Sequence, residues 1–91
     1  MYALLLSQII DGGALPVFLK ILNDNHPEDQ VITARAIWSL SFDDGVCQQI
    51  KEFPNMKQKL EDLKSSKDEE IAKNVNGTLY VFRKGSLFFR M

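Results

Sequence analysis

The chain repeats itself, and that limits its fold more than any other property. Ile9, Leu15, Leu19 and Leu22 return as Ile50, Met56, Leu60 and Leu63, each 41 residues on. Beyond a loop, Ile32, Arg35, Ala36 and Leu40 return as Ile71, Asn74, Val75 and Leu79 at an offset of 39, so the second copy is two loop residues shorter. Each copy has the spacing of a short helix, a second helix and a longer third one. A period near 40 residues with three helices per unit predicts an all-α chain of the α-solenoid kind, in which a unit buries its apolar face by stacking on its neighbour. No alternating strand pattern competes with it.

The breaks agree with the repeat. Tyr2 to Ile10 carries Leu5, Leu6, Ile9 and Ile10 at helical spacing and stops at Asp11-Gly12-Gly13. Ala14 to Leu22 follows, with Pro16 in the first turn, where its missing N–H costs nothing. Pro27, Glu28 and Asp29 open the third helix, from Glu28 to Phe42. This helix is apolar on nearly every side and needs cover from several directions. The spacing turns Ile32, Ala36 and Leu40 to the core and leaves Trp38 and Phe42 on another face. In the second copy, Asp43 or Asp44 caps a short helix holding Val46 and Ile50, and Pro54 breaks the chain. A charged helix follows on the stripe Met56, Leu60 and Leu63. Ser66 with Glu69 is a capping-box pattern for the last helix, whose stripe is Ile71, Val75, Leu79 and Phe82.

The residues IIDGGALPVFLKIL, followed by QVITARAIWSLS, resemble an armadillo repeat, in both the I-x-x-G-A-L-P-x-x-L-x-x-L opening and the V-x-x-x-A-x-W-x-L core. The first unit spans 2–43 and the second 44–84, leaving an apolar tail at 85–91. The second unit has Phe53-Pro54 where the glycines should be and Gly77 at the Trp38 position. A HEAT-type relative shares the same loose pattern. The resemblance implies a single armadillo-like domain, a right-handed superhelix whose third helices line a concave groove. On it, Arg35, Trp38, Ser39 and Phe42 face the groove, with Asn74 and Thr78 from the second unit. Family members that hold extended peptides carry an Asn four residues after the Trp. Phe42 and Val81 stand there in this chain, which favours a more apolar partner surface.

Composition narrows the function from outside. At 45 % apolar and 25 % charged residues the 91-residue chain has the balance of one globular domain. Its net charge of −1 supplies no basic field for nucleic acid. No run reaches the roughly 20 apolar residues of a membrane span. The lone Cys47 forms no internal disulfide, which with the absent secretion signal gives a cytoplasmic or nuclear location. One His and one Cys fall short of a four-ligand zinc site, and no assembled nucleophile and base is in view, so neither cofactor nor catalysis is expected. Gly77 inside a helix points to close approach of another backbone or, preferably, to a degenerate terminal unit. The sequon Asn76-Gly77-Thr78 falls in the same helix and is read as accidental.

Two functions fit these expectations. The first is a non-catalytic module that binds a protein partner through the third-helix face. The second is a stacking or autoinhibitory segment of a longer signalling chain, with self-association through open solenoid ends.

Overall fold

The structure, a computed structural model, describes residues 13–84. The expected first helix, Tyr2 to Ile10, and the tail at 85–91 lie outside the described residues. Five helices follow in order: α1 (Ala14–Asn23), α2 (Pro27–Leu40), α3 (Asp44–Glu52), α4 (Met56–Leu63) and α5 (Glu69–Lys84). The described residues contain no strand.

Each boundary has a local cause. Gly13 precedes α1 at φ +91°, a left-handed backbone that glycine adopts without steric cost. Pro27 stands at the first position of α2, with Glu28 and Asp29 in its first turn. Asp43 caps α3, its Oδ1 accepting the Val46 N–H at 3.0 Å, which decides between the two candidate aspartates. Phe53 is extended before Pro54, as a residue preceding proline prefers, and Asn55 turns left-handed at φ 70° to launch α4.

Ser66 is not the direct cap of α5. The Oδ1 of Asp68 accepts the N–H groups of Glu70 at 3.0 Å and Ile71 at 3.3 Å, while the Ser66 hydroxyl accepts the Asp68 N–H at 3.1 Å. A carboxylate adjoining the first turn also meets the positive end of the helix dipole, so it is the better acceptor there.

α1 packs on α2 and α4 on α5, giving two helical hairpins. Between them α2 lies along α5 and α1 touches α4, while α3 packs on both α4 and α2. One core cluster runs through all five helices, from Leu15 and Leu22 in α1 to Val81 and Phe82 in α5. The α4 stripe is buried as expected at Met56 and Leu60, while Leu63 is half-buried against the cluster. Burying one such leucine is worth about 1.5–3 kcal/mol.

The register of α2 differs from the expected one. Its buried residues are Gln30, Thr33, Ala34, Ile37 and Leu40, while Ile32 is 63 % exposed and Ala36 only half-buried. α1 and α5 cover the side centred on Ile37, and Leu40 belongs to both stripes. Of the two polar side chains that this rotation carries inside, Gln30 and Thr33, that of Gln30 donates through Nε2 to the Leu22 carbonyl at 2.8 Å and so ties α2 to α1. In α5 the expected stripe is entirely buried: Ile71, Val75, Leu79 and Phe82, joined by Asn74, Thr78 and Val81.

Candidate groove between α2 and α5

Where α2 lies along α5, a cleft of about 420 Å³ opens between them, lined by Arg35, Trp38, Ser39, Phe42, Glu70, Lys73 and Asn74. Its central feature is Trp38. The indole lies across Gly77, so close that a Cβ built there would stand 2.3 Å from Trp38 Cε2. Gly77 thus admits the close approach of a side chain, not of a backbone. The two positions that correspond at the 39-residue offset are the two that touch.

Phe42, just past the end of α2, brings its ring to 6.3 Å from the Trp38 ring, the planes tilted by 34°. That separation suits an attractive tilted aromatic pair. Behind it, the Ser41 hydroxyl donates to the Ile37 carbonyl at 2.7 Å and is itself fully buried, which fixes the chain's exit from α2. The indole Nε1 is buried and has no hydrogen-bond acceptor among the described residues.

Five of the six expected site residues line this cleft, and Thr78 does not. Thr78 is fully buried, its hydroxyl donating to the Asn74 carbonyl at 3.0 Å, because it lies on the side of α5 that docks against α2. Asn74 reaches the cleft only as an edge. Its amide donates to the Glu70 carbonyl at 2.8 Å, and the residue is almost wholly buried. Glu70 and Lys73 are the lining residues that sequence reasoning missed. They lie one turn and one residue before Asn74, so the repeat offset alone does not select them. The rim therefore carries two cations, Arg35 and Lys73, against one carboxylate, Glu70.

Elsewhere the chemistry-bearing side chains stand apart. Burial raises the pKa of the Cys47 thiol above its ordinary value of 9.0, with Lys51 pulling it down and Asp44 pushing it further up. The thiol therefore stays protonated near neutral pH and is a poor nucleophile. His26 is exposed and lines a separate shallow cleft with Pro27, Glu28 and Asp29. Among the described residues no three His, Cys, Asp or Glu side chains group as metal ligands, and no helix is long and apolar enough to cross a membrane. In the sequon, the Asn76 amide donates to the Lys64 and Ala72 carbonyls at 3.1 and 2.8 Å.

Comparison of the chain with protein-family models, characterised proteins and solved structures finds no match. What the cleft can do therefore follows from its own residues. Its shape and apolar floor suit an inserted side chain, and its two cations suit a carboxylate beside that side chain.

Proposed function

We propose that the chain is a non-catalytic protein-interaction module, an armadillo-like pair of units that holds a segment of a partner protein along the α2–α5 groove. The observation that carries this reading is the cleft floored by Trp38 and Phe42 and rimmed by Arg35 and Lys73. Aromatic rings that are partly desolvated and flanked by cations are the kind of anchor that supplies much of an interface's energy. The stacked-unit architecture is supported by the way α1 meets α4 and α2 meets α5, corresponding helices side by side at the repeat offsets. The ligand of this reading is an apolar side chain followed or preceded by an acidic one.

Trp38 is the only tryptophan, so its emission reports on the groove directly. Peptides selected against the whole chain from a displayed random library are expected to carry an aromatic or aliphatic residue next to Asp or Glu and to change that emission on titration. Ser39→Arg fills the groove from an exposed position without touching the core. It should weaken the selected peptides at least tenfold, a loss of about 1.4 kcal/mol, while the thermal melt is unchanged. Peptides that bind Ser39→Arg as tightly as the parent chain would place the binding surface elsewhere and end this reading.

A further inference from the structure

Corresponding faces of the two long helices are treated differently. Ile71 corresponds to Ile32, yet Ile71 is 2 % exposed and Ile32 63 %. Val75 is sealed where Ala36 is half-buried, and Thr78 is sealed where Ser39 is exposed. Among the described residues, the face with which α5 docks on α2 thus has an uncovered counterpart on α2. α1 adds a second large apolar side chain to the uncovered set, Val17, 53 % exposed.

The far side of α5 is unlike it. Ala34, Ile37 and Ser41, buried on α2, correspond to Lys73, Asn76 and Tyr80, of which Lys73 and Asn76 are exposed and Asn76 is bonded to the Lys64 carbonyl. A head-to-tail array of copies would press Ile32 onto these polar groups. An isologous pair, in which the same face meets itself, places apolar on apolar and closes after two copies.

We propose that the Ile32 face of α2 is a homodimer contact, two copies packing α2 against α2 antiparallel about a two-fold axis at Ile32. The charges on either side of Ile32 favour this geometry. Glu28 and Asp29 lie one turn before it and Arg35 one turn after, and none of the three has an ion pair among the described residues. Antiparallel pairing centred on Ile32 brings each Arg35 opposite the acidic turn of the other copy. Parallel pairing would set like charges together. A single helix-to-helix contact falls short of the roughly 1,200 Å² of a stable interface, so the dimer is weak, with Kd on the order of 100 μM. Ile32 does not line the cleft, although Arg35, on the cleft's rim, belongs to both surfaces.

Sedimentation equilibrium of the full chain from about 10 μM to about 1 mM tests it, because that range brackets the expected constant. The expected result is a monomer–dimer equilibrium that weakens with added salt. Ile32→Glu should raise the dissociation constant at least tenfold with an unchanged circular dichroism spectrum. Arg35→Glu should also weaken the dimer, and Arg35→Glu combined with Glu28→Arg and Asp29→Arg should restore it. A monomer throughout, association that Ile32→Glu leaves intact, or oligomers that grow past two would each overturn the proposal. So would unfolding of Ile32→Glu, which would mean that the chain itself covers this face.

Discussion

Gly77 and Trp38 define the tightest constraint at the level of single residues. In most exposed helix positions replacing glycine by alanine stabilises by about 1 kcal/mol. At position 77 the new methyl would meet Cε2, Cζ2 and Cδ2 of the indole at 2.3, 2.6 and 2.7 Å. These are ring atoms of one rigid side chain, so the whole indole must move, and with it the floor of the groove. Gly77→Ala is therefore expected to destabilise the chain by roughly 1–3 kcal/mol in urea denaturation. The same change in a Trp38→Ala background should cost nothing or stabilise, a coupling that a double-mutant cycle reads directly. A stabilised single variant would show that the indole is not held there. The sequence exposed half of this. A glycine within a helix is visibly out of place, but its partner is invisible until the two third helices are set side by side.

For the helices, what was legible depended on how many sides of each are covered. α5 is polar enough on its outer side that Ile71, Val75, Leu79 and Phe82 define one stripe, and that stripe is buried. α2 is apolar almost all round, so a 3.6-residue period fits several rotations, and the one centred on Ile37 is selected only by its neighbours α1 and α5. Thr33 and Gln30 inside, and Ile32 outside, are what that choice entails. The cap of α5 is ambiguous in the sequence for a similar reason. Ser66 and Asp68 are both good capping residues, and only the observed turn shows that the serine holds the aspartate while the aspartate holds the helix. Asp68→Ala should accordingly cost about 1 kcal/mol, and Ser66→Ala distinctly less. If thermal or urea unfolding ranks the two the other way, the serine is the true cap.

Taken as a whole, the molecule depends on both halves of its chain at once. The sequence predicts an all-helical chain, and the described residues are helical without a strand. The sequence did not reveal how the core is shared. Ile37 of α2 and Ile71, Val75 and Thr78 of α5 are sealed where these helices run side by side, and the hydrophobic cluster has no gap at the unit boundary. Among the described residues one continuous cluster joins α1 and α2 to α3, α4 and α5. α1 and α2 have 10 and 14 residues, and isolated helices shorter than about 12–15 residues are marginal in water without tertiary packing. A chain cut after Asp43 would expose the Ile37 side of α2 and leave the indole of Trp38 without Gly77 beneath it. Residues 1–43 alone are therefore expected to lose most of their helical circular dichroism at 25 °C, while the full chain unfolds in urea as a single transition seen alike by circular dichroism and Trp38 emission. Full helicity in the isolated first unit, or two separated transitions in the whole chain, would mean that the boundary between units is a seam rather than the centre of the core.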